Sequence, residues 1–124
     1  MLLDVVRGTP SPEALAFRRL AGQEPLVLGD VVLLELLQGA RDDAAARRTE
    51  ALFAAFTQVP MLGPDLARRA AANYRRLRTA GITPRRMADL IIGSWCIAQA
   101  VPLLHRDRDF LPMAEHLGLR LVAA

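Results

Sequence analysis

Four carboxylates in this 124-residue chain sit in sequence contexts that call for an explanation. Glu35 is the only charge between Asp30 and Arg41, inside the run Val-Val-Leu-Leu-Glu-Leu-Leu. Asp89 lies in Met87 to Ala100, a segment that is apolar almost all the way round a helix, and it shares a face with Ile92, Gly93 and Cys96. An ionised carboxylate in such surroundings must be paired, strongly hydrogen-bonded, neutralised or bound to a cation. Asp107 and Asp109 follow the apolar run Val-Pro-Leu-Leu at 101–104. Two residues apart, they point the same way in extended geometry. They fall just past a candidate strand, at the sheet edge where α/β folds place ligands.

Each carboxylate alone has a plainer explanation. Asp89 pairs with Arg85 or Arg86 one turn earlier, and Glu35 is a partly exposed residue of an amphipathic helix. Asp107 belongs to a solvated turn, and Asp109 caps a helix starting near Phe110. The four together point elsewhere. Hard oxygen ligands gathered at one sheet edge repel one another unless a hard cation lies between them, and Mg²⁺ or Mn²⁺ suits such a set. The chemistry most often built this way is phosphodiester hydrolysis.

Other site chemistries find no support. His105 and His116 lack zinc-ligand spacing, and no Walker loop or G-x-G-x-x-G is present. Ser94 has no nucleophile-elbow glycines around it. The single cysteine, Cys96, excludes an intrachain disulfide, suits a reducing cytoplasm and reads as a small buried residue. All sixteen basic residues are arginine. That bias has two readings, a compositional habit of the source genome or a preference for bidentate phosphate contact. A net charge of +3 permits a nucleic-acid partner without requiring one.

Positioning these carboxylates takes a fold with alternating elements. At 124 residues, with 52% apolar content and a mean hydropathy of +0.21, the chain is expected to form one globular domain over 1–124. The best candidate for a membrane span, 88–104, contains Asp89, Gln99 and Pro102 and is rejected. The N-terminus lacks the pattern of a signal peptide. Ser11-Pro12 predicts a helix over about 12–21, ended by Gly22. Pro25 to Leu28 predicts a strand, with Asp30 capping a segment from Val31 to Gln38 that reads as helix or longer strand and stops at Gly39.

Asp42 and Asp43 open a helix to about Phe56. Thr57 to Leu62 reads as a strand that Pro60 confines to an edge or a late start. Leu66, Ala70, Tyr74 and Leu77 form an apolar helical stripe, with Arg68, Arg69, Arg75, Arg76 and Arg78 on the other side and Gly81 as its stop. Thr83-Pro84 predicts a helix start running to about Gln99. A strand over 102–105, a short helix over 111–117 and a last strand from Leu119 to Val122 complete the pattern. Strands alternating with helices predict an α/β fold with a mainly parallel central sheet flanked by helices on both sides.

Three segments resemble the PIN-domain ribonucleases, and within them the VapC-type toxins of bacterial toxin–antitoxin pairs. The run from Leu26 to Gly39 resembles the segment carrying that family's glutamate, here Glu35. The run from Gly81 to Ile92 resembles its central aspartate helix, here Asp89. Leu104-His-Arg-Asp107-Arg-Asp109-Phe110 resembles its late acidic motif, with His105 standing where many relatives have threonine. The resemblance covers nearly the whole chain, in the right order. It implies a PIN-like fold, with Glu35, Asp89 and Asp107 as catalytic ligands of Mg²⁺ or Mn²⁺ and Asp109 as an auxiliary ligand. It also implies an endoribonuclease acting on RNA, a homodimer, and inhibition by a cognate antitoxin protein.

The N-terminus follows the family less closely. Leu3-Asp4-Val-Val-Arg-Gly8 matches the end of its first strand-and-helix segment, with too few residues ahead of it. One alignment makes Asp4 the first metal ligand and requires an internal deletion. The other, preferred because it needs no gap, puts Asp4 in the first helix and leaves the strand and its aspartate missing, through a late-assigned start or a truncation. Two further readings follow. One is a degenerate PIN domain that binds antitoxin or RNA without cleaving. The other takes Leu66 to Ile92 as a helix-turn-helix, which the apolar second helix disfavours.

Overall fold

The computed structural model describes residues 2–3, 26–105 and 108–123. The described strands form one five-stranded parallel sheet in the order β3-β2-β1-β4-β5. These are β1 (Leu2–Leu3), β2 (Val27–Gly29), β3 (Thr57–Val59), β4 (Leu103–His105) and β5 (Leu121–Ala123). The chain begins at the centre of the sheet, builds outward through β2 and β3, then returns to the other side of β1 with β4 and β5. Such a reversal of order makes a switch point at the carboxyl ends of the central strands. Five helices occur among the described residues: α1 (Asp30–Gln38), α2 (Asp43–Phe53), α3 (Pro64–Thr79), α4 (Met87–Gln99) and α5 (Leu111–Leu117). The α/β architecture predicted from alternating elements is the one observed.

The central strand corrects the gap-free N-terminal alignment. Leu2 pairs with Val27 of β2 on one side and Leu103 of β4 on the other, and Leu3 pairs with Leu104. Two apolar residues suffice because a strand inside a parallel sheet is held by ladders on both sides. The first family strand is therefore present, and Asp4 follows it directly in sequence. Asp4 itself lies outside the described residues, as does the helix predicted over 12–21.

The remaining boundaries follow local chemistry, with instructive shifts. Strand β3 occupies an edge and ends one residue before Pro60, as the missing proline N–H requires. Asp42 caps α2 by accepting from the Ala45 N–H at 2.7 Å, but the helix ends at Phe53, short of Phe56. The segment Val31 to Gln38 is helical throughout. Its N-cap is Gly29 rather than Asp30, because the Asp30 carboxylate instead accepts the Met61 N–H at 3.0 Å and ties α1 to the end of β3. Gly29 lets the Met61 side chain pack closely at that junction: a Cβ there would lie 2.2 Å from the Met61 sulfur, so that side chain would have to shift.

Helix α4 starts at Met87 with Arg86 as N-cap, not at Thr83-Pro84, so residues 82–86 form an irregular approach to the helix. The last strand begins at Leu121, two residues late, after the Leu119 N–H bonds the Met113 carbonyl and Leu119 buries itself.

The core lies where the two helical layers meet the sheet. Leu28, Val32, Leu77, Ile92, Leu103 and Phe110 are essentially fully buried. Of the predicted stripe of α3, Leu66, Ala70 and Leu77 are buried and Tyr74 is partly buried, while Arg68, Arg69, Arg75, Arg76 and Arg78 face solvent. Phe110 closes a single 3₁₀ turn, Arg108–Phe110, and packs that turn onto the core. Phe110→Ala should therefore cost about 3–5 kcal/mol of stability, by the cavity it leaves. Urea unfolding followed by circular dichroism measures this, and a loss under about 1 kcal/mol would show that the turn is not anchored through this ring.

Candidate active site

Topology alone brings several carboxylates to one edge. In a parallel sheet each strand's carboxyl end faces the start of the helix that follows and of the helix that leads into the next strand. Helix α1 leaves that edge after β2 and carries Glu35. Helix α4 starts there, before running back to β4, and carries Asp89 in its first turn. The 3₁₀ turn that follows β4 carries Asp109.

Asp89 is 5% exposed, on the face it shares with buried Ile92, Gly93 and Cys96. Its place in the first helical turn is favourable, since unpaired backbone N–H groups there carry partial positive charge. It lines a pocket of about 220 Å³ together with Asp109, Arg85 and Arg108. Two carboxylates and two guanidinium groups therefore border one cavity, whose apolar wall is formed by Leu77, Leu90 and Met113. Asp109 is not the N-cap of α5: Phe110 holds that place, and Asp109 lies within the 3₁₀ turn instead of in extended chain. The parallel alignment of Asp107 and Asp109 expected from an extended strand does not apply to it. Asp107 lies outside the described residues, and so does the side chain of His105.

Glu35 lies deeper than an amphipathic surface residue. Its side chain is 9% exposed, and its Oε2 accepts a hydrogen bond from the Arg86 guanidinium at 2.6 Å. The sequence offered Arg86 to Asp89, one turn away; the structure gives it to Glu35, 51 residues away. Nothing in local spacing records such a pairing. The one available signal was that a glutamate inside an apolar helix needs a counter-charge somewhere. Glu35 does not border the cavity that Asp89 and Asp109 share, though α1 and α4 pack together and the ion pair joins them. Among the described residues no three His, Cys, Asp or Glu side chains form a ready-made metal group.

Comparison with known proteins decides the family. The family model for the PIN domain matches residues 1–115. The chain belongs to the PIN-domain family. It is 34% identical over 123 residues to the VapC ribonuclease Mb1587 of Mycobacterium bovis, an alignment covering 95% of this chain and 90% of the relative. It matches Ribonuclease VapC11 of Mycobacterium tuberculosis to the same extent, so it stands with the VapC-type members.

Among solved structures, its PIN fold is similar to VapBC2 from Rickettsia felis bound to a promoter DNA fragment, with a TM-score of 0.74 at 16% identity over 99% of this chain and 98% of that one. VapBC-5 from Mycobacterium tuberculosis gives a TM-score of 0.69 at 20% identity over 99% and 97%. Among the described residues of this PIN domain, no helix is long and apolar enough to cross a membrane.

The Glu35–Arg86 pair is asymmetric, and stability should reveal it. Arg86→Ala strands a buried carboxylate, whereas Glu35→Gln leaves a guanidinium that is 44% exposed and can rehydrate. In divalent-free buffer Arg86→Ala should cost about 2 kcal/mol and Glu35→Gln about 1 kcal/mol, figures reduced for the solvent around Arg86. Paired urea titrations test this, and equal or reversed losses would contradict the described burial.

Proposed function

We propose that this PIN domain is a VapC-type endoribonuclease toxin, dependent on Mg²⁺ or Mn²⁺ and neutralised by a cognate antitoxin protein. The observation that carries this reading is the nearly end-to-end relationship, at 34% identity, to proteins named as VapC ribonucleases. Site chemistry supports it. Asp89 and Asp109 are hard oxygen donors lining one pocket, and Glu35 lies on the helix packed against that of Asp89; donors of this type suit a hard divalent cation. Asp107, which follows β4 by two residues, is proposed as a further ligand and Asp109 as the auxiliary one. A divalent cation held there supplies positive charge to an anionic phosphodiester and acidifies an attacking water.

This chain's own residues do the rest. Asp89 is fixed by helix α4, so it contributes charge at a set position. Arg85 and Arg108, on the rim of the same pocket, suit contact with phosphate oxygens of an RNA strand. The protein is proposed to act in the cytoplasm as a homodimer, where its substrate and antitoxin are found. The solved relatives supporting an antitoxin partner are VapBC assemblies.

A second reading, a PIN domain that binds antitoxin or RNA without cleaving, is favoured by one observation: Arg86 already engages the Glu35 carboxylate. Cleavage of RNA by the purified chain separates the two. The enzyme reading expects cleavage with Mg²⁺, loss in EDTA, at least a hundredfold loss in Asp89→Asn, and no change in Arg48→Ala on the exposed face of α2. Absence of Mg²⁺-dependent cleavage, with RNA or the adjacently encoded small protein still bound, would establish the binding module instead.

A further inference from the structure

Charge is distributed unevenly along this chain. Seven of its sixteen arginines fall between residues 66 and 88, where no Asp or Glu stands. That segment carries +7 in a chain whose net charge is +3, so the remainder nets −4. A genomic preference for arginine over lysine does not remove carboxylates, and a solvated helix ordinarily interleaves the two signs three or four residues apart. Helix α3, which holds five of the seven, instead sets Arg75 and Arg78 three apart, a like-charge spacing that costs helix stability. Asp65 at its start pairs with Arg68 at 3.3 Å, with both side chains exposed. Arg69, Arg75 and Arg76 have no carboxylate partner among the described residues.

Two of these arginines border a groove. Arg69, Asn73 and Arg76 recur at i, i+4 and i+7, so they share one face of α3. With Ser94 and Ile97 of α4 they line a cavity of about 170 Å³, where the Asn73 amide donates a 2.9 Å hydrogen bond to the buried Ser94 hydroxyl. Arg69 and Ala98 border both this cavity and an adjoining one of about 430 Å³, which Trp95 and Gln99 also line. Trp95, the chain's only tryptophan, is partly buried there. Neither cavity shares a lining residue with the pocket of Asp89 and Asp109. Ser94 to Ala98 lie about 8 to 14 Å further along α4 than Asp89, by helical rise.

We propose that this α3–α4 groove is an RNA-anchoring surface, separate from the acidic pocket, that holds the single strand running beyond it. Guanidinium groups meet phosphate oxygens bidentately. An aromatic ring beside a basic groove gives bases a face to stack on, whatever their sequence. Arg69 and Arg76 are two helical turns apart, about 10 Å by helical rise, a span of about three stacked nucleotides at about 3.4 Å each. The groove contributes affinity and the acidic pocket the chemistry. Only the choice of RNA as the polyanion rests on the ribonuclease reading; the charge asymmetry, the unpaired arginines and the groove stand without it.

Fluorescence anisotropy of a labelled short single-stranded RNA, measured on the full chain in EDTA, tests this without relying on cleavage. Arg69→Gln/Arg76→Gln should bind about tenfold more weakly at physiological salt, and its plot of log affinity against log salt should be shallower by about 1.4, the slope of two single-strand phosphate contacts. Arg47→Gln/Arg48→Gln, which removes the same charge from exposed positions on α2, should bind within about twofold of the unsubstituted chain. Equal losses in the two doubles, or none in the α3 double, overturn the inference and leave the ribonuclease reading standing. No RNA binding by the unsubstituted chain overturns the inference, and cleavage in Mg²⁺ then decides the ribonuclease reading separately. The unsubstituted chain also gives a readout independent of any variant's folding: RNA should quench Trp95 emission, and unchanged emission at saturating RNA overturns the inference. Poly-glutamate of equal charge should compete at least about tenfold more weakly than RNA, because it offers no base to stack. Equal competition makes the groove a surface for an acidic protein and overturns RNA as its occupant.

Discussion

Burying a negative charge in the first turn of an apolar helix constrains everything packed around it. Asp89 is 5% exposed, and the face of α4 that carries it is otherwise core. Such a group survives only if its surroundings supply positive charge or polar contact. The helix N-terminus contributes its unpaired N–H groups. Arg85, from the approach to the helix, and Arg108, from the 3₁₀ turn after β4, line the same pocket as Asp89. The sheet topology is what makes that convergence possible, because a parallel sheet gathers helix starts and post-strand turns at one edge. In the VapC-type PIN domain this edge is where the proposed chemistry resides.

Glu35 answers the same constraint differently. It lies on the wrong half of its helix for dipole assistance, and its compensation comes from Arg86 across the α1–α4 contact. The ion pair thus joins two packed helices, one carrying Glu35 and the other Asp89.

What the sequence made legible, and what it did not, follows the range of the interactions. Pro60 placed β3 at an edge because a proline acts on its own residue. The stripe of Leu66, Ala70 and Leu77 was readable because helical periodicity is local. Asp30 and Thr83-Pro84 carry strong capping signals, yet neither caps its helix. The Asp30 carboxylate is taken by the Met61 N–H, 31 residues away, and the chain enters α4 only after Arg86 has turned toward α1. The alignment that kept the central strand was passed over because two residues are too few to show a period, although two partner strands hold them. At the site, the burial of Asp89 was readable from its apolar neighbours. The identity of the carboxylate that Arg86 serves was not, since it depends on how two helices meet.

The acidic residues at this edge of the sheet are proposed to hold a divalent cation. Anomalous diffraction from crystals of the protein grown with Mn²⁺ tests that proposal most directly. One peak is expected in the pocket lined by Asp89 and Asp109, within coordination distance of the Asp89 carboxylate. Mn²⁺ bound only elsewhere, or no peak in this pocket at saturating Mn²⁺, would contradict it.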